Sequence, residues 1–213
     1  MKRFTPGNAV ELLRSGGEFF PAIVEAIASA QREVWLETYI FADDPAGRAV
    51  ADALVAAAQR GVIVRLLVDG WGAKHYLTRA LEQRLRDGGV RLLKYRPEVA
   101  VWQFRFHRLR RLHRKLCHVD RDVAFVGGIN LIDDMNTPGH KPPRVDFAVR
   151  VRGPMLAPIV QSMQRLWALV ELVQLDRSDV PLFPDPILTE RAGTQTAKFV
   201  IRDSFRYRRD IER

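Results

Sequence analysis

The sequence predicts an α/β fold: a mixed, largely parallel β-sheet flanked by helices on both faces. Two observations carry this. Runs of strand length alternate with segments of helical spacing through the first half of the chain. The resulting order of strand, helix, strand, helix, strand implies right-handed crossovers and a sheet covered by helices.

Glu18 to Gln31 has helical apolar spacing, and Glu33 to Phe41 (EVWLETYIF) reads as the first strand. Gly47 to Gln59 is a helix of small residues that stops at Arg60-Gly61. The Asp43-Asp44 pair before it suits a helix N-terminal turn better than a metal site. Val62 to Val68 (VIVRLLV) is a nearly continuous apolar strand, Tyr76 to Arg86 is a helix stopped by Gly88-Gly89, and Val90 to Tyr95 is a strand. Val145 to Val151 extends the sheet, and Met155 to Leu175 is a long amphipathic helix in which Trp167 is a core residue.

Between these elements lies the chemistry-bearing stretch. Residues 112–119 (LHRKLCHV) alternate, and successive strand side chains point to opposite faces, so His113, Lys115 and Cys117 share one face. Asp120-Arg121-Asp122 is a polar turn, and Val123 to Val126 is a returning strand. A turn centred on Arg121 sets position 117 opposite 125, 115 opposite 127 and 113 opposite 129, which returns Gly127-Gly128 and Asn130 to His113. The glycines let backbone approach a bulky anion, Asn130 can donate amide hydrogens to a phosphate oxygen, and Lys115 adds a point charge. Singly, each residue has an ordinary structural reading. Their joint register is what points to phosphodiester chemistry.

The spacing His113-x-Lys115, four residues, Asp120, six residues, Gly127-Gly128-x-Asn130 resembles the signature of the phospholipase D superfamily. The chain also resembles bacterial cardiolipin synthases along nearly its whole length: in Leu36-Glu37-Thr38-Tyr39-Ile40-Phe41, Asp43-Asp44 with Gly47, Arg60-Gly61-Val62, Asp69-Gly70, Asp146 and Gly153-Pro154. The resemblance implies a phospholipase D-like domain over residues 1–190, in which His113 is the nucleophile that forms a phosphohistidine. Lys115 and Asn130 would grip the phosphate oxygens, with Gly128 also at the phosphate and Asp120 as a supporting acid. No metal and no cofactor are implied. Splitting one displacement into two lets an imidazole attack phosphorus, expel an alcohol and pass the phosphoryl group to water or a second alcohol.

The leaving alkoxide needs a proton, so a second histidine is required as general acid. Family resemblance implies two motifs, and the chain holds one. His75, His107, His118 and His140 are not followed two residues later by lysine in a usable strand; prolines follow His140-Lys141, and His118 points away from His113 by strand parity. A homodimer could pool two motifs, or a second half could carry the other. Residues 191–213 form a basic tail whose Phe205 to Arg213 resembles the start of such a half.

One cysteine excludes an internal disulfide framework, and Cys117 reads as a small buried hydrophobe. No secretory signal and no spanning apolar run are evident, which predicts a cytoplasmic protein held peripherally at the inner membrane. The net charge of +9 favours an anionic partner, and its sign alone does not separate lipid from nucleic acid. Arg105, Arg108, Arg110, Arg111, Arg114 and Lys115, interleaved with Phe104, Phe106 and Leu109, suit a membrane surface.

These expectations converge on a phosphatidyltransferase of the cardiolipin synthase type, acting on anionic phospholipid such as phosphatidylglycerol. A nuclease of the same superfamily, working as a homodimer on nucleic acid, and an inactive half-protein with a binding role are the alternatives.

Overall fold

The computed structural model describes residues 4–96, 111–136, 139, 141–174 and 190–201. Eight strands form one sheet: β1 (Thr5–Arg14), β2 (Glu33–Thr38), β3 (Ile63–Asp69), β4 (Arg91–Tyr95), β5 (Leu116–Val119), β6 (Val123–Gly127), β7 (Phe147–Arg152) and β8 (Gln195–Ala197). The helices are α1 (Ser15–Ala28), α2 (Pro45–Gln59), α3 (Arg79–Asp87) and α4 (Leu156–Val173). Strand order is β4-β3-β2-β5-β6-β7-β1-β8.

The sheet is mixed and covered on both faces. Val34, Leu36, Val64, Leu66 and Val68 point to one face and pack with Ile23 and Ile27 of α1, Val50 and Leu54 of α2, and Leu81 and Leu85 of α3. The intervening Trp35 and Leu67 point to the other face and pack with Met163 and Trp167 of α4. The Trp35 and Trp167 rings meet edge to face at 5.7 Å, so Trp167 is core as its spacing predicts.

The balance of strand directions differs from the expectation. Only the β2–β3 and β3–β4 ladders are parallel. β2–β5, β5–β6, β6–β7, β7–β1 and β1–β8 are antiparallel. Helical crossovers enforce parallel pairing only where a helix joins neighbouring strands, and from β5 onward a hairpin and a long return replace them. β1 escapes the sequence reading because Pro6, Gly7 and Asn8 are turn formers. Asn8 instead ties the strand down: its side-chain oxygen accepts the Met155 amide at 2.7 Å, and its side-chain nitrogen donates to the Thr5 carbonyl at 2.6 Å.

Capping sets the element that precedes β3. Asp44 accepts the Gly47 amide at 2.9 Å as N-cap of α2 and also accepts the Asp133 amide at 2.8 Å, so the acidic pair serves the helix start. Among the described residues, no helix is long and apolar enough to cross a membrane. Residues 104–110, including His107, together with His140 and Phe205 to Arg213, lie outside the described residues.

Candidate functional site

The hairpin has the register its sequence predicts. Cys117 pairs with Phe125 and Val119 with Val123, and the Gly127 amide continues the ladder to the Lys115 carbonyl at 3.2 Å. Asp120 and Arg121 form the turn with φ of 51° and 59°. Regular strand begins only at Leu116, because Leu112 gives its amide to the buried Asp69 carboxylate at 2.7 Å. Parity still holds through this stretch. His113 and Lys115 face one cavity, whereas Arg114 faces α4, with its guanidinium 2.9 Å from Glu37 and 3.1 Å from Ser162 Oγ.

That cavity has a volume of about 580 Å³ and opens at the carboxyl ends of β2, β3 and β6. Open α/β sheets bind ligands at this edge. Its walls include His113, Lys115, Gly128 and Asn130, so four of the five motif residues singled out from the sequence meet here. Tyr39 links two of them: its ring lies 5.3 Å from the His113 ring and 5.6 Å from the Lys115 ammonium. Gly72 makes room for it, since a Cβ there would stand 2.5 Å from the Tyr39 ring. Asn130 is buried, and its side-chain oxygen accepts the Ile40 amide at 3.2 Å, which directs its NH₂ group away from that bond.

Asp120 does not reach the cavity. It sits at the opposite end of β5, where its carboxylate accepts the amides of Gln31, Arg32 and Glu33 at 2.7–2.8 Å. Burial raises its pKa, but these amides outweigh that and hold it below the ordinary carboxylate range. The support Asp120 gives is therefore to the start of β2, not to a reacting group. Gly128 lines the cavity for another reason than close approach to an anion: a Cβ there would lie 2.3 Å from an Asp146 oxygen, so the missing side chain admits a carboxylate of the protein itself. Arg144 pairs with that carboxylate and donates to the Gly128 carbonyl at 3.1 Å.

Burial is the main electrostatic influence. It lowers the His113 pKa below 6.5, helped by the nearby Lys115 charge and opposed by Asp69, so the imidazole is largely neutral at pH 7. Burial, aided by the Arg144 charge and opposed by Asp146, brings Lys115 down to about 8. Glu37 is pushed up to about 7 by burial, against the pull of Arg114. His118 is fully buried, stacks on Trp35 at 5.8 Å and is brought down to about 4 by burial, so it is a neutral core residue. Cys117 is buried at the foot of the hairpin, and burial raises its thiol pKa.

Tyr39, Trp71, His75, Tyr76, Arg144 and Asp146 complete the walls and were not identified as site residues from the sequence. The readable signal was position: Tyr39 and Trp71 closely follow parallel strands, where α/β sheets place their ligands. Among the described residues, no three His, Cys, Asp or Glu side chains gather as a metal cluster.

Comparison with known proteins places this geometry. A family profile described as "Cardiolipin synthase, PLD-like domain" matches residues 23–138. Cardiolipin synthase B of Salmonella typhimurium is 36% identical over 97% of this chain and 49% of its own length. The Escherichia coli protein of the same name is 31% identical over the same shares. The chain thus spans about half the length of these curated relatives. Among solved structures, the phospholipase D family member Nuc from Salmonella typhimurium superposes with a TM-score of 0.55 at 22% identity, covering 76% of this chain and 95% of its own. Phosphatidylserine synthase from Haemophilus influenzae gives 0.59 at 18% identity, covering 79% and 38%. Both are likenesses of fold. The family match takes in more than half of the chain, including the whole hairpin and the turn that carries Asn130, and the chain belongs to the phospholipase D-like family of the cardiolipin synthases.

Proposed function

We propose that this chain is the catalytic half of a phosphatidyltransferase of the cardiolipin synthase type. The observation that carries the reading is the convergence of a largely neutral imidazole, a buried lysine and an asparagine whose amide oxygen is already engaged by Ile40 on one cavity. Similarity to cardiolipin synthase B over 97% of the chain supports it.

In the proposed reaction a nitrogen lone pair of His113 attacks the phosphorus of a phosphatidylglycerol. The P–N bond forms as the P–O bond to glycerol breaks, and the glycerol alkoxide takes a proton from a general acid. A hydroxyl of a second phosphatidylglycerol then attacks phosphorus, loses its proton, and displaces the imidazole to give cardiolipin. Lys115 and the Asn130 amide hold the non-bridging oxygens as charge moves onto them. The general acid is a second histidine supplied by another half or another copy of the chain, because the expelled alkoxide is too basic to leave unprotonated. The protein works at the face of the membrane, where both substrates reside.

The nuclease and binding-subunit readings have weaker support, because the likeness to Nuc is one of fold. Vesicles holding radiolabelled phosphatidylglycerol test the proposal, with the chain alone and with a polypeptide carrying a second His-x-Lys motif. Cardiolipin should form with a complete site, and acid quenching should be avoided so that an alkali-stable phosphoryl adduct on His113 can be trapped. Cardiolipin synthesis that survives His113→Ala, or label found on another residue, would sink the mechanism.

A further inference from the structure

Trp71 stands at the rim of the cavity with 53% of its surface exposed, although an indole is among the most costly groups to leave in water. Its amide is held by Asp69 at 3.0 Å, so the residue is anchored to the end of β3. Two cations attend the ring: the Arg111 guanidinium lies 5.2 Å from its centre and the Lys74 ammonium 6.0 Å. Lys74 is itself exposed. An amphipathic aromatic flanked by cations is the pattern of a membrane-interface anchor, in which the ring sits at headgroup depth and the charges meet lipid phosphates.

We propose that Trp71, Lys74 and Arg111 form a docking lip that seats the mouth of the cavity on an anionic lipid bilayer. This deepens the phosphatidyltransferase reading and rests on it for the choice of partner. Charge complementarity selects the bilayer's anionic lipids, in keeping with the net charge of +9. A single-stranded nucleic acid could meet the same ring and cations, and it is the phosphatidyltransferase reading that favours the bilayer over it.

The test uses the whole chain with Trp102→Phe, so that Trp71 is the sole tryptophan outside the core; Trp35 and Trp167 are buried. Vesicles of phosphatidylglycerol and phosphatidylcholine, brominated on the acyl chains near the headgroup, should quench and blue-shift its emission. Pure phosphatidylcholine should not, and adding Trp71→Phe should remove the response. Lys74→Gln should weaken vesicle binding by roughly fivefold, the worth of one cation near an anionic surface. Vesicle binding without quenching, no vesicle binding, or quenching by an oligonucleotide alone would each overturn the lip. Cardiolipin formation without Trp71 quenching would remove the lip and leave the transferase reading standing, whereas quenching without cardiolipin formation under any complementation would do the opposite.

Discussion

The side-chain oxygen of Asn130 accepts the amide of Ile40 at 3.2 Å, so the end of β2 decides which way the Asn130 amide points. Asn130→Asp keeps this acceptor and loses both donors, while adding a charge that repels phosphate. The variant should fold with an unchanged far-UV spectrum, and its kcat/KM should fall by at least about a hundredfold, the scale of losing one transition-state donor. Retention of full activity would remove Asn130 from phosphate binding.

Lys115 should trade stability for activity. Its pKa is lowered in the folded state, so burial of the charged form opposes folding; that penalty is fully present below about pH 8 and shrinks as pH rises toward the unfolded value of 10.5. Lys115→Met should therefore abolish turnover yet raise stability at pH 7 by about 1–2 kcal/mol in urea titrations. A fall in stability would show that the lysine is held by more than the cavity.

A bell-shaped pH profile is expected for kcat/KM. In the proposed mechanism attack needs neutral His113, so activity rises with pH through a value below 6.5; it then falls as the general acid loses its proton and as Lys115 does so near 8. In Lys115→Arg, if that variant keeps measurable turnover, the fall near pH 8 should disappear and leave the limb set by the general acid alone. An unchanged alkaline limb there would assign it to another group.

Asp120→Asn should weaken the fold without entering the chemistry. The carboxylate has a depressed folded pKa, so its contribution is present above the unfolded value and is lost as pH falls through the folded one. We expect a loss of about 2 kcal/mol at pH 7, the scale of amide bonds to a charged group, that shrinks toward zero in acid. Turnover measured well below the melting temperature should change by less than about threefold. A hundredfold loss in kcat with stability intact would return Asp120 to the reacting centre.

Hairpin parity was legible because a side-chain period of two and a three-residue turn leave one register. From residues 113–130 alone it brings His113, Lys115, Gly128 and Asn130 together, and the structure agrees. Of the opposing wall, only the position of Tyr39 and Trp71 just after parallel strands carried a signal; that they and Arg144 meet at one cavity depends on tertiary placement of segments far apart in sequence. Gly128 illustrates a further limit. Its need for a bare α-carbon is visible in the sequence, yet the reason, the Asp146 carboxylate, comes from the residue just before β7, which lies beside it only in the fold. β1 and β8 were missed where side-chain hydrogen bonds and edge pairing override weak local preference.

The buried Asp69 carboxylate holds the Leu112 amide with one oxygen and the Trp71 and Gly72 amides with the other. The rim that carries Trp71 and the segment that carries His113 thus hang from a single hinge pin. In the proposed reading a tilt of that rim would act on the segment that carries His113, so depth of seating and reach of attack would be one mechanical coordinate rather than two.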